Sequence, residues 1–67
     1  MSSNLLGKLY YVLFVFPPDD TPDFVTVTKD VDAYLGCSKR QGAFQSKREA
    51  NESAKRLAYR RDVLVDD

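Results

Sequence analysis

Leu9-Tyr10-Tyr11-Val12-Leu13-Phe14-Val15-Phe16 is a run of eight apolar or aromatic residues between Lys8 and Pro17-Pro18. Six of the eight are β-branched or carry a ring, the residue types that fit a pleated surface. The run predicts a β-strand over roughly Lys8 to Phe16 with no polar face. Side chains alternate along a strand, so Leu9, Tyr11, Leu13 and Val15 point one way and Tyr10, Val12, Phe14 and Phe16 the other. Both rows need shelter from water, and a single helix can cover only one.

Outward from this strand, Pro17-Pro18-Asp19-Asp20-Thr21-Pro22-Asp23 has loop chemistry: the prolines lack backbone donors and the aspartates favour turns. Phe24-Val25-Thr26-Val27-Thr28 alternates cleanly and predicts a half-buried second strand. Lys29 to Cys37 supports two readings. A turn at Lys29-Asp30 would return the chain as a strand through Val31, Ala33 and Leu35. A short helix would use Thr28 as its cap, Asp30 in the first turn and Gly36 as its terminator. Lys39-Arg40-Gln41-Gly42 has the composition of a turn, and Ala43-Phe44-Gln45 that of a short extended piece.

Ser46-Lys47-Arg48-Glu49 matches the capping box, a hydroxyl at the cap and a carboxylate three residues on. The helix formers from Ala50 to Arg60 follow it, with Ala50, Ser53, Ala54, Leu57 and Ala58 on one face. These side chains are nearly all small, so the helix can approach a sheet closely while bringing little apolar bulk. Val63-Leu64-Val65 reads as a short closing strand. The expected fold class is therefore α+β: a small antiparallel sheet of three to four strands, the first strand central, with one main helix on one face. Residues 1–67 form a single small domain, with 1–7 a frayed end and 66–67 an acidic tail.

A chain of 67 residues with one cysteine and no histidine has neither a disulfide nor a zinc site to staple it. A core this small rarely supplies more than about 3–5 kcal/mol, so a partner or a second copy is a reasonable source of extra stability. Without histidine the commonest general base is missing, and an enzyme is not expected. Cys37 lies near Lys39 and Arg40, but no histidine exists to activate it, so a filler thiol is expected. Asp30 and Asp32, with the Asp19, Asp20 and Asp23 group, lack the spacing of a calcium loop. No cofactor, metal or small-molecule substrate is expected. The longest apolar run is far below the roughly 20 residues of a membrane-spanning helix, and Phe16-Pro17-Pro18-Asp19 after it offers no small-residue cleavage site, so a cytoplasmic location is the default expectation.

Formal charge sums to zero, but its distribution is uneven. Residues 37–61 hold eight basic side chains against two acidic ones, between two acidic ends. Lys39, Arg40, Lys47, Arg48, Lys55, Arg56 and Arg60 form one candidate site, a basic surface fit for phosphates or an acidic protein. Tyr10, Phe14 and Phe16, with Phe24 beside them, form the second: rings that, if the helix covers the opposite face, could anchor a protein or stack bases.

The order of elements, with Gly42-Ala43-Phe44-Gln45-Ser46 leading into an alanine-containing helix, resembles the small hybrid-binding domain ahead of some type 1 ribonucleases H. The chain departs from that family in having no tryptophan and in its long acidic, Pro-rich loop. The resemblance implies topology alone and assigns no residue a role.

These readings converge on a non-enzymatic binding or regulatory protein of accessory or inhibitor type, which occupies a surface of a larger protein. A nucleic-acid-binding module using the basic helix face and the sheet aromatics is the alternative, and a homodimer would use the same rings.

Overall fold

A computed structural model describes residues 9–30 and 32–66. The expected frayed end therefore lies outside the described residues, as do Lys8, Val31 and Asp67. The chain forms β1 (Tyr10–Val15), β2 (Phe24–Thr28), β3 (Ser38–Phe44), α1 (Lys47–Arg61) and β4 (Leu64–Asp66). The α+β class and the central position of the first strand are as the sequence predicts. The strands lie in the order β3-β1-β2-β4, with α1 packed on one face.

Pairings of β1 with β2 and with β3 are antiparallel, but β4 runs parallel to β2, so the sheet is mixed and not wholly antiparallel as expected. Two successive reversals make β3 parallel to β2 and hence to β4. Parallel strands need a long connection, and α1 supplies it by crossing over β1 and β2.

Partners in register point to the same face, which fixes what lies where. Val12, Val25, Ala50, Ala54 and Ala58 form the core under α1, with Tyr10, Phe14, Val27, Phe44, Leu57, Val63 and Val65 packed around it. The alanines recur every four residues, so the helix comes close enough for Val12 and Val25 to be fully buried. Tyr11, Leu13 and Val15 form a second core on the other face, with Leu9, Phe24, Tyr34 and Cys37 packed against it. Both rows of β1 are thus covered.

The second cover is made by the segment whose conformation the sequence left open. It is neither helix nor strand but consecutive tight turns, with N–H groups of Ala33, Leu35 and Cys37 donating to carbonyls of Asp30, Asp32 and Tyr34 at 3.1, 3.2 and 3.1 Å. Side chains compete with the helical pattern here. Thr28 Oγ1 accepts from Asp30 N–H and Asp30 Oδ1 from Asp32 N–H, each at 3.0 Å, and Ser38 Oγ donates to the Tyr34 carbonyl at 2.9 Å. Gly36 ends the turns at φ 89°, a left-handed conformation glycine adopts without strain. Phe16 N–H donates to the Cys37 carbonyl at 2.9 Å and ties the segment to the end of β1.

Two local expectations are corrected. Lys39-Arg40-Gln41-Gly42 is not a turn; it lies inside β3, paired to β1. An edge strand can carry charged side chains on its solvent side, so polarity alone misreads it. Ser46 occupies the helix N-cap with extended backbone, yet its hydroxyl makes no capping bond, so the capping box is present in sequence only. Asp66 is exposed, and its backbone closes β4, with its carbonyl accepting from Thr26 Oγ1 at 3.4 Å.

The helix stops at Asp62, which sits at φ 56° and ψ 46°. Val63 N–H donates to the Ala58 carbonyl at 3.0 Å and Asp62 N–H to that of Tyr59 at 3.3 Å, the paired bonds of a Schellman motif. A left-handed residue with a β-carbon is strained, and a carboxylate at a helix C-terminus opposes the dipole. Asp62→Gly is therefore expected to stabilise the fold by about 1 kcal/mol, raising the thermal midpoint by roughly 4–8 °C in a circular dichroism melt.

Candidate functional site: a basic and aromatic cleft between the outer strand and the helix

Register and helix phase decide where the expected site residues stand. Phe24 pairs with Val15, so it lies on the face away from α1, edge-on to Tyr34 with ring centroids 5.9 Å apart. Tyr10 and Phe14 lie on the opposite face and pack against the helix core. The expected single outward face of Tyr10, Phe14, Phe16 and Phe24 is therefore not formed. Strand alternation grouped the first three correctly, but α1 takes their side of the sheet. Phe16, just past β1, is the most open to solvent of the four, at 36%.

The basic residues also divide. A register shift opposite Val12 and Leu13 leaves Gln41 as an extra residue in β3, a bulge that keeps Gln41 on the helix side with Gly42 and Lys39. Arg40 pairs with Leu13 on the other face, its guanidinium 5.7 Å from the Tyr11 ring centroid. Lys47 and Arg48 stand at the start of α1, whereas Arg56, Arg60 and Arg61 belong to its C-terminal half. Lys55 is exposed on the helix exterior.

What comes together is a subset of both constellations. Phe14, Phe16, Lys39, Gln41 and Arg61 line a cleft of about 350 Å³. Beside it, and sharing Gln41, Ser53, Arg56, Leu57 and Arg60 line a hollow of about 260 Å³. The two make one furrow along β3 and α1 with four cations and no carboxylate among its lining residues. Glu52 is four residues before Arg56 on the helix and outside that lining. Arg61 lies 5.2 Å from the Phe14 ring centroid, and the Phe14 and Phe16 rings are 6.4 Å apart. A cation over a ring at an exposed site contributes about 0.5–1 kcal/mol, enough to orient Arg61 without burying it. Gly42 keeps the strand slim here, since a β-carbon would lie 3.0 Å from Phe44 Cε1.

Gln41 and Arg61 were not among the residues singled out. Arg61 was recoverable, because it is seven residues after Ala54 and so returns to the sheet-facing stripe. The Gln41 bulge has no sequence signal of its own.

A larger groove, about 600 Å³, lies at the opposite edge of the sheet between Thr21-Pro22-Asp23 and β4. Phe24 and Leu64 lie in register on its wall, and Leu64 is 80% exposed. It holds carboxylates of Asp23, Asp62 and Asp66 but no cation, so it joins none of the expected basic residues. In the neighbouring loop the Asp19 carboxyl is held below the usual carboxylate range by the Thr21 backbone N–H, which donates to it at 2.9 Å. Among the described residues no three histidine, cysteine or acidic side chains gather as metal ligands, and no helix is long and apolar enough to cross a membrane. Cys37 is half-buried, with its thiol 3.6 Å from the Tyr34 carbonyl, a packing position.

Compared with protein-family models, with curated proteins and with solved structures, the chain matches none of them.

Proposed function

We propose that this is a non-enzymatic binding protein of regulatory or inhibitory type that seats the β3–α1 furrow on a larger protein. The observation that carries the reading is the gathering of Phe14, Phe16, Lys39, Arg56, Arg60 and Arg61 at one edge of the sheet. Aromatic residues and arginine dominate the energetic centres of protein interfaces. A standard interface takes about 800 Å² from each partner, roughly 15% of the 5170 Å² surface.

Nucleic acid is the second reading, favoured by the same four cations. Two features weigh against it. Base stacking needs open ring faces, and Tyr10 and Phe14 pack on the helix core. A phosphate track needs cations in line, and Arg40 is on the far face while Lys47 and Arg48 stand at the other end of α1.

The two separate in one experiment. The nuclease-treated protein should retain a protein from its source cells, and Phe16→Ala with Arg60→Glu should reduce its affinity at least 30-fold, as for loss of a hot spot of about 2 kcal/mol. Binding that disappears with nuclease, or falls steeply with salt on a synthetic oligonucleotide, would favour nucleic acid. If the furrow instead joins two copies, sedimentation would give twice the 7.6 kDa chain mass.

A further inference from the structure

β3 is the outermost strand of the sheet on the furrow side, so among the described residues no strand pairs with its outer edge. An open edge presents backbone donors and acceptors to any extended chain. From this edge we infer that the partner is engaged through an acidic extended segment, which adds to β3 as a fifth strand. The inference rests on the protein-binding reading above.

Charge selects the occupant. Lys39 on the helix side and Arg40 on the other face repel a basic strand and would be desolvated without a partner by a purely apolar one. Carboxylates at alternate positions of an added strand would meet Lys39, Arg56 and Arg60 on the furrow side, and the residues between them would lie on the Arg40 face. Gly42 and Ala43 carry no bulky side chain of their own, and the Phe44 ring lies against Gly42. A second copy of this chain offers its own acidic edge at β4, but that strand has three residues against the seven of β3. A longer acidic segment from a different protein fits better.

The test uses a capped octapeptide of alternating glutamate and valine, with lysine–valine, backbone N-methylated glutamate–valine and eight-nucleotide oligothymidylate as comparisons. The expected result is binding of the glutamate–valine peptide alone, with amide exchange slowed at least tenfold at those β3 amides that point away from β1. Lys39→Glu with Arg60→Glu, both exposed positions, should weaken that binding at least tenfold while leaving the circular dichroism spectrum unchanged. Equal binding of the N-methylated peptide would overturn strand addition, because charge alone would then suffice. Tighter binding of the oligonucleotide would overturn it in favour of a phosphate site. Slowed exchange in the protein alone, with a doubled mass, would assign the edge to a second copy instead. If no peptide binds and the furrow variants still lose the captured protein, strand addition fails and the protein-binding reading stands. If those variants retain the captured protein, both fail.

Discussion

Leu13→Ala is expected to leave most molecules unfolded at 25 °C. Leu13 is 1% exposed and lies on the face that the helix does not reach, within the Tyr11 and Val15 core. Truncating a buried leucine costs about 2–5 kcal/mol, part of it for the cavity left behind. A domain of this size holds roughly 3–5 kcal/mol in all, so the loss is comparable with the whole stability. A urea titration followed by circular dichroism reads the result. Leu35→Ala is the control: Leu35 is in the same covering segment but 81% exposed, and its truncation should change stability by less than about 0.5 kcal/mol. A Leu13→Ala protein within 1 kcal/mol of wild type would mean that the turns around Tyr34 do not seal this face.

The second large effect is expected on the other side of the sheet. Ala54 is fully buried where the helix packs over Val12 and Val25. Ala54→Leu would add three carbons where the helix lies close to the strands. Overpacking of this kind costs about 1–3 kcal/mol through off-rotamer side chains and backbone shifts. Here the relief available is outward movement of α1, which carries Arg56, Arg60 and Arg61 away from Lys39. Partner affinity should therefore fall in Ala54→Leu even under conditions where the domain remains folded. Ala54→Ser, nearly the same size, should cost less and leave affinity unchanged.

The strongly patterned elements were legible. β2 has the bounds its alternation predicts, and α1 runs one residue beyond the expected Arg60. Strand one was legible as a two-faced apolar element, and its central position followed from that. The face the helix would choose was not, because alternation separates two rows without ranking them. That choice is made by tertiary packing: the small side chains of Ala50, Ala54 and Ala58 accept the Val12 and Phe14 row, and the turns after Thr28 accept the Leu13 row. These turns escaped reading because Thr28, Asp30 and Ser38 side chains set them, one hydrogen bond each. β3 escaped because its pairing with β1 outweighs the turn propensity of Gln41-Gly42.

Of the candidate site, the residue types were legible and the grouping was not. Phe14, Phe16, Lys39, Arg56 and Arg60 were each marked as surface anchors or cations. Their convergence depends on the bulge at Gln41 and on a helix of four turns ending beside β3, which are properties of the folded sheet. The same register sends Arg40 and Phe24 to the opposite face, where they take part in a different surface.

Amide hydrogen exchange, compared between the protein alone and in complex with its captured partner, tests the furrow as the binding surface most directly. Protection is expected in residues 38–44 and in the last two turns of α1. Protection confined to residues 21–24 and 62–66, around the larger acidic-rimmed groove, would place the partner on the wrong edge of the sheet and contradict the assignment.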